Sequence, residues 1–330
     1  LLQCRNPGTT ISSYISMLRA CSKRKDPSHA RQIQSHLLRN PTIYGLLTTA
    51  ATTTTTSAGA GTGAFLADYL VMTLAKCGAV DDAHQLASIT TASLTVFSWS
   101  ALISAYADLG RGQEALQTYE CMQREGTTPD KFTFVSLFKA CASIRSLCQG
   151  KHLHAYVCSD ENLSSNTYIG NTIVSMYGKC GAVIEAEDAF KNLCERDVVS
   201  WTTLIAGYVD HGFLAEALEC LEKMQSEGVD PDRVTYIYGL KACGLLRSLE
   251  KGKDLHAEVD RKGFNDASIS NALQDMYVKC GSLSIAQEIF DKLPNRDVSA
   301  WNLLMAGYVE ENFYEEAISS FSRMKLEGVS

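Results

Sequence analysis

Three tryptophans mark an internal repeat, which constrains the fold of this chain more than any other feature of its sequence. Trp99, Trp201 and Trp301 lie 102 and 100 residues apart and open the matching segments SWSALISAY, SWTTLIAGY and AWNLLMAGY. A second phrase recurs at the same period, as AKCGAV, GKCGAV and VKCGSL. A fixed period over most of a chain is typical of repeat architectures, in which each unit packs against its neighbours.

Each period divides into three units of 31 to 36 residues, and each unit has the pattern of two helices. In the unit from 96 to 130, Trp99 and Tyr106 share one helical face and Gly110 ends the first helix. A second apolar stripe, which includes the small Ala115, follows before the unit closes. One such hairpin cannot bury both of its faces, so the pattern predicts stacked hairpins with a continuous core and an inner groove.

The predicted units differ in length and regularity along the chain. After an N-terminal segment at 1–10 they run 11–45, 64–95, 96–130, 131–166, 167–197, 198–232, 233–266, 267–297 and 298–330, the last one partial. Residues 46–63 separate the first two units and contain TTAATTTTTSAGAGTG, which has no helical period. We interpret this Thr-, Ala- and Gly-rich stretch as a flexible insertion, because no partner is evident for the short strand that its Thr run could form.

Composition narrows the functions that such an array can have. The net charge of −7 argues against indiscriminate nucleic-acid binding, because affinity for phosphate needs clustered Lys and Arg, so any basic surface has to be local. No uncharged apolar run approaches the length that spans a bilayer, and we expect no membrane contact. The chain starts without Met and ends inside the repeat pattern, so we expect it to be a fragment.

The twelve cysteines predict neither a zinc site nor a disulfide framework. No CxxC pair exists, since the two nearest cysteines, Cys141 and Cys148, are seven residues apart. Six of the twelve cysteines recur within the repeated RAC, KAC and KCG phrases, which favours small buried side chains in a reducing compartment. We expect no metal and no other cofactor.

The phrases of the units resemble one family of helical hairpin repeats. VVSWTTLIAGYVDHGFLAEALECLEKMQSEGVDPD at 198–232 is similar to a standard pentatricopeptide repeat, FTFVSLFKACASIRSLCQGKHLHAYV to its long variant and NTIVSMYGKCGAVIEAEDAF to its short variant. Together they resemble the PLS subclass, in which the three variants alternate. The resemblance implies an all-α, right-handed superhelical solenoid of helix-turn-helix repeats that binds single-stranded RNA, one base per repeat.

The same resemblance implies where such a protein acts. It points to a mitochondrion or chloroplast and to organellar RNA processing, such as the selection of sites for cytidine-to-uridine editing. The implied partners are single-stranded organellar RNA and other RNA-processing proteins.

The resemblance also places a base-reading pair in each unit, made of a polar residue early in the first helix and the residue that closes the unit. The polar residues are Ser100, Asn171, Thr202, Asn271 and Asn302, and the closing residues are Asp130, Asp197, Asp232 and Asp297. The implied bases are guanine for Ser100 with Asp130 and for Thr202 with Asp232, uracil for Asn171 with Asp197 and for Asn271 with Asp297, and a pyrimidine for Asn302. From residue types alone, helix capping is the favoured interpretation, and the resemblance reverses that preference.

Three units depart from this pattern. The long units pair Val135 with Asn166 and Ile237 with Asp266, and the first short unit pairs Asp68 with Thr95. An aliphatic residue offers no hydrogen bond, so the long units are not expected to select a base. With RNA running 5′ to 3′ from the N- to the C-terminus, as in the family, the implied target is guanine, any base, uracil, guanine, any base, uracil, pyrimidine.

Two further sets of residues complete the predicted interface. Residues near the starts of first helices that would flank bases by stacking or apolar contact are Phe97, Phe132, Tyr168 and Val199. Packing between hairpins explains Phe132 and Tyr168 equally well. Lysines near the ends of first helices that would contact phosphate are Lys76, Lys179 and Lys279, although the negative helix terminus explains them equally well.

The sequence predicts a binding module rather than an enzyme. A nucleobase deaminase needs H-x-E together with P-C-x-x-C, and only His256-Ala257-Glu258 is present, in a helical stripe where packing explains it. Any deaminase activity would therefore lie in a further domain or a partner enzyme. The alternative from another class is a tetratricopeptide-like scaffold whose groove holds a peptide, which the acidic net charge slightly favours.

Overall fold

The computed structural model describes residues 11–40, 59–89, 94–293 and 296–329. Within these ranges every regular element is an α-helix, and there are nineteen of them. They form two compact units, Leu1–Thr172 and Ile173–Ser330. The predicted all-α fold of helical hairpins is thereby confirmed.

The first unit consists of successive helical hairpins. Its paired helices are α1 (Ile11–Arg24) with α2 (Pro27–Arg39), α3 (Gly59–Lys76) with α4 (Val80–Ile89), α5 (Val96–Asp108) with α6 (Gly112–Arg124), and α7 (Lys131–Ser143) with α8 (Leu147–Cys158). A single turn, α9 (Glu161–Ser164), follows, and α10 (Thr167–Lys179) crosses the boundary between the units. The first helix of a hairpin packs against its own second helix and against the first helix of the next hairpin, as α5 does with α6 and α7.

The second unit repeats this arrangement. Its helices after α10 are α11 (Val183–Lys191), α12 (Val198–Asp210), α13 (Leu214–Ser226), α14 (Arg233–Leu246), α15 (Leu249–Lys262), α16 (Ala267–Lys279), α17 (Leu283–Lys292), α18 (Val298–Glu310) and α19 (Tyr314–Leu326). The first helices α12, α14, α16 and α18 pack in sequence order, each against the next. Polar residues at the same position of successive first helices are therefore brought side by side within the unit.

The repeated tryptophans anchor the core of these hairpins. Trp201 and Trp301 are fully buried, and each packs edge-on against a phenylalanine of the preceding second helix. The Trp201 and Phe190 ring centroids are 4.7 Å apart, and those of Trp301 and Phe290 are 4.6 Å apart. Aromatic pairs of this geometry add about 0.5 to 1.5 kcal/mol beyond their area burial, so the tryptophans join each first helix to the hairpin before it.

The turns inside hairpins come in two kinds. In the standard units 96–130 and 198–232, Gly110 and Gly212 adopt a left-handed conformation, with φ of 74° and 80°, which ends the first helix, and in the unit 298–330 Asn312 does so with φ of 65°. In the long units Arg145 and Arg247 take the same conformation, with φ of 52° and 54°. A residue with a Cβ atom pays about 1 to 2 kcal/mol for this backbone geometry, and no glycine in the sequence marks these two turns.

The cysteines of the RAC and KAC phrases lie in the core. Cys21, Cys141 and Cys243 are buried, and no disulfide joins any of the eleven cysteines that the structure describes. Burial raises the pKa of the Cys243 thiol to about 12, which keeps it protonated and weakly nucleophilic. These side chains serve as small apolar residues, as their sequence context predicts.

One predicted boundary is wrong. Helix α3 begins at Gly59, so residues 59–63 are helical and do not belong to a flexible insertion. Once residues 64–76 are helical, adding further turns at their N-terminal side costs far less than nucleating a helix, even with glycine present. Three predicted parts lie outside the described residues. They are the segment 1–10, residues 41–45 of the predicted repeat 11–45, and residues 46–58 of the insertion.

No described helix combines the length and the apolar character that crossing a bilayer requires.

Candidate nucleic-acid interface

The predicted base readers occupy the fifth position of their first helices. Ser100 on α5, Thr202 on α12 and Asn271 on α16 are half-buried, and Asn302 on α18 is exposed. Asn171 on α10 is more deeply placed, with 8% of its surface exposed. The readers therefore share one register but differ in how far a ligand can reach them.

In the unit 96–130 the predicted reading pair is in contact. Ser100 Oγ lies 3.3 Å from Asp130 Oδ1 and 2.6 Å from Thr133 Oγ1. Asp130 also caps α7, because its Oδ1 accepts the Thr133 N–H at 2.8 Å. One carboxylate therefore caps α7 and contacts Ser100 at the same time.

In the unit 198–232 the pair is joined through a third residue. Thr202 Oγ1 lies 2.6 Å from Thr235 Oγ1, and the Thr235 hydroxyl donates to Asp232 Oδ1 at 2.8 Å. Asp232 caps α14 by accepting the Thr235 N–H at 2.9 Å. The two standard units thus build the same cluster of reader, closing Asp and buried Thr.

The other closing aspartates are seen as caps. Asp197 accepts the N–H and the hydroxyl of Ser200 at 2.8 and 2.7 Å, and Asp297 accepts the Ala300 N–H at 2.8 Å. Asn271 makes no side-chain hydrogen bond among the residues that the structure describes. The structure therefore brings Ser100 and Thr202 to their closing residues by hydrogen bonds but does not do so for Asn271 and Asp297.

The long units differ at the fifth position, as predicted. Val135 is buried, with 5% exposed, and Ile237 is half-buried. Burial raises the pKa of the closing Asp266, but the Ser268 N–H and the Arg233 guanidinium outweigh that effect and hold the pKa below its usual value. Asp266 thus remains a charged cap of α16.

The atypical Asp68 is engaged within the protein. Its Oδ1 accepts the Thr95 N–H at 3.0 Å and the Ser98 hydroxyl at 2.6 Å. Thr95 makes no side-chain cap, and Asp68 on the preceding first helix contacts the start of α5 instead. This carboxylate holds a helix junction together.

The predicted base-flanking residues stand out from the surface. Phe97, Phe132, Tyr168 and Val199 occupy the second position of their helices, and each is between 58% and 66% exposed. Side chains this exposed are not held by packing between hairpins, which was the alternative for Phe132 and Tyr168.

Sequence reasoning missed one member of this set. Val234 is also in second position, on α14, and is 42% exposed. The sequence could have identified Val234, because it is the second residue of the first helix of its long unit.

The predicted phosphate lysines divide into two groups. Lys76 and Lys179 are exposed, whereas Lys279 Nζ lies 2.6 Å from Asp275 on its own helix and is partly neutralised. Two lysines of α7 that were not predicted, Lys131 and Lys139, are exposed and form no ion pair among the described residues.

The H-x-E residues have structural partners. His256 Nδ1 lies 2.9 Å from the Tyr277 hydroxyl, and Glu258 accepts hydrogen bonds from Tyr236 and Gln225. Within the described residues no three His, Cys, Asp or Glu side chains come together as a metal site.

Comparison with known proteins identifies the repeats. The PPR repeat family model matches residues 94–143 and 196–244, and the PPR repeat model matches residues 171–198 and 299–329. The crystal structure of the pentatricopeptide repeat protein PPR10 in complex with an 18-nt psaJ RNA element is similar with a TM-score of 0.70, covering 99% of this chain and 52% of that one. At 15% sequence identity this likeness shows a shared fold.

Curated relatives from Arabidopsis thaliana carry the same kind of repeat. A chloroplastic pentatricopeptide repeat-containing protein is 33% identical over 314 residues, which is 95% of this chain and 48% of the relative. The chloroplastic CRR2 protein is 33% identical over 325 residues, 96% of this chain and 46% of its own, and a mitochondrial relative is 31% identical over 320 residues, 96% and 39%. This chain spans less than half the length of these relatives. It belongs to the pentatricopeptide repeat family.

Proposed function

We propose that this chain binds single-stranded RNA and that its standard and short units each read one base. A surface repeated on successive first helices carries the proposal: an exposed apolar residue in second position is followed three residues later by a polar one. Phe97 with Ser100 on α5 and Val199 with Thr202 on α12 are the clearest cases. Residues at i and i+3 share a helix face, so one base can stack on the first and hydrogen-bond to the second.

The bases follow from the reading pairs. Ser100 with Asp130 and Thr202 with Asp232 select guanine, and the two Asn–Asp pairs, Asn171 with Asp197 and Asn271 with Asp297, select uracil. Asn302 selects a pyrimidine. The resemblance to the family's base-reading code supports these assignments, and so do the contacts of Ser100 and Thr202 with their closing clusters.

Local basic charge supports phosphate binding despite the net charge of −7. Lys131 and Lys139 are exposed on α7, and the Lys131 ammonium lies 5.2 Å from the ring centroid of the exposed Phe132. Lys76 and Lys179 are also exposed on first helices. Phosphate contacts of this kind position a strand without reading its sequence.

The cellular role extends the proposal to the whole protein. Relatives that are named chloroplastic or mitochondrial support an organellar location. Alternating standard, long and short units support the PLS subclass and, with it, a part in selecting cytidine-to-uridine editing sites alongside other RNA-processing proteins. In this role the repeats bind RNA, and any chemistry belongs to another domain or to a partner.

The strand GAUGAUC tests the proposed register. We expect replacement of either guanine by adenine to weaken binding by roughly ten-fold, because a good bidentate base contact contributes about 1 to 3 kcal/mol of discrimination. Fluorescence anisotropy on the labelled strands measures the affinities, and replacing either adenine of GAUGAUC, opposite Val135 and Ile237, provides the matched control. Equal affinity for the guanine and adenine strands would refute the register.

The alternative function, a scaffold that binds peptides, predicts a different dependence of RNA affinity on salt concentration. An RNA-binding surface loses affinity as salt increases, because bound phosphates release counterions. Salt-independent binding to RNA, together with retention of peptide ligands, would favour the scaffold.

A further inference from the structure

Two buried threonines lie directly behind the guanine-reading residues. Thr133 and Thr235 are each the third residue of the helix that follows a standard unit, and both are fully buried. Each hydroxyl oxygen lies 2.6 Å from the hydroxyl of the reader in the preceding unit, Ser100 or Thr202. The two contacts join residues that are 33 positions apart in both cases.

The direction of the hydrogen bonds in each cluster is determined by the closing carboxylate. An ionised carboxylate only accepts, so the Thr133 hydroxyl donates its single proton to Asp130 Oδ1, 2.8 Å away. Thr133 Oγ1 then has only lone pairs left for Ser100, and Ser100 has to be the donor in their contact. The same argument makes Thr202 the donor to Thr235, whose proton goes to Asp232 Oδ1 at 2.8 Å.

Each reader hydroxyl therefore uses its proton inside the protein and turns lone pairs toward solvent. The neighbouring Asp carboxylate is likewise an acceptor. A base that fits two adjacent acceptors must offer two adjacent N–H groups on its Watson–Crick edge. Guanine offers N1–H and the 2-amino group, whereas adenine, cytosine and uracil each place an acceptor next to their donor.

We infer that Thr133 and Thr235 are specificity-determining positioning residues, which select guanine by forcing the reader hydroxyls of Ser100 and Thr202 to act as acceptors. The inference rests on the proposed function. These threonines touch no base themselves and act through the hydroxyl in front of them.

Among the described residues, a reader hydroxyl in front of a buried threonine occurs only in the units 96–130 and 198–232. Ser200 donates to the closing Asp197 in the same way at 2.7 Å, but the reader of that unit is Asn171 and has no hydroxyl. Ala300 follows the unit of Asn271 at the equivalent third position and has no hydroxyl to offer. An Asn carboxamide already carries both a donor and an acceptor, so it does not need an external group to define its polarity. In the unit that contains Asp68, the equivalent Ser98 hydroxyl donates to the Asp68 carboxylate itself. A carboxylate carries no proton, so this contact does not set the direction of a further hydrogen bond.

Valine substitution removes the hydroxyl and keeps the shape of the side chain. Thr133→Val and Thr235→Val would be compared with Thr133→Ser and Thr235→Ser, which keep the hydroxyl, in the whole chain. Each protein would be titrated with strands that carry guanine, hypoxanthine or adenine at one of the two guanine positions of GAUGAUC. Hypoxanthine keeps N1–H and lacks the 2-amino group, so it reports the loss of one donor.

Each valine variant should lose discrimination only at its own position. We expect the ratio of guanine to adenine affinity there to fall by about three- to ten-fold, the effect of one net hydrogen bond, while the other guanine position keeps its native ratio. The serine variants should retain the native ratio. The loss should be greater for Thr235→Val, because Ser100 can still donate to Asp130 at 3.3 Å.

The outcomes separate this inference from the proposed function. Native protein that binds the guanine and adenine strands equally overturns the register, and this inference with it. If the native protein discriminates and the valine variants keep the ratio at their own position, the inference alone is overturned. A uniform loss of affinity for every strand at an unchanged ratio also overturns it, because it assigns the threonines to folding only.

Discussion

The first helices of the standard and long units have the same start and differ where a base would be read. On α12 of a standard unit and α14 of a long unit, an aspartate caps the helix and a large aromatic residue in fourth position is buried, Trp201 and Tyr236 respectively. At the next residue the standard unit has Thr202 and the long unit has Ile237. One scaffold therefore supports either a polar or an apolar side chain at the fifth position.

The turns extend the comparison. In the units 96–130 and 198–232 the chain reverses direction at a glycine with positive φ, and in the units 131–166 and 233–266 it does so at an arginine with positive φ. Packing of the two helices thus imposes the left-handed backbone whether or not the residue suits it. Gly212 of the repeat 198–232 and Arg247 of the repeat 233–266 are a matched pair, because both lie in the compact unit Ile173–Ser330.

The largest expected effect tests whether the fourth-position aromatics serve equivalent roles. Trp201→Ala should lower the free energy of unfolding by about 3 to 5 kcal/mol, because it leaves a cavity and removes the edge-on contact with Phe190. Urea denaturation followed by circular dichroism measures the change. Tyr236→Phe is the milder companion, with an expected loss of about 1 kcal/mol for its hydrogen bond to Glu258. If Trp201→Ala lowers the free energy of unfolding by less than Tyr236→Phe does, the tryptophan is not a core anchor.

A smaller effect tests whether the two long units are alike at the fifth position. Val135→Thr should destabilise the protein by about 1 to 3 kcal/mol, because the new hydroxyl enters a buried site. Ile237→Thr places the same hydroxyl where it can reach solvent, so it should avoid most of this desolvation penalty, although it also loses a methylene group. Thermal unfolding of the two variants measures the difference, and Val135→Ala separates the polar effect from the loss of volume. Destabilisation by Val135→Thr no greater than by Val135→Ala would contradict the burial argument.

The smallest effect concerns the turns. Arg247→Gly should stabilise the protein by up to about 1 kcal/mol, since glycine tolerates φ of 54° without steric strain. Gly212→Ala should destabilise by a similar amount for the opposite reason, and no atom within 4 Å would meet the added Cβ. Chemical denaturation midpoints compare both variants with the native chain. Destabilisation by Arg247→Gly would mean that contacts of the arginine side chain outweigh the backbone strain.

Much of the candidate interface could be predicted because its signals are local. The second and fifth positions of the first helices follow from helical periodicity, and Phe97 and Tyr168 in second position are exposed. Val234 was accessible to the same reasoning and was missed. The start of α3 at Gly59 was predicted wrongly, because low-propensity residues can be carried into a helix by the stable segment beside them.

The sequence by itself determined the repeat, its hairpin pattern, the buried tryptophans and the line of polar residues, since each depends on spacing along one or two helices. Only the tertiary structure decided which hydroxyl faces which. The contacts of Ser100 with Thr133 and of Thr202 with Thr235 cross from one hairpin to the next, and no periodicity within a helix specifies them. Hydrogen-bond direction depends on three groups meeting within about 3 Å, which packing between neighbouring hairpins creates and a linear pattern does not encode.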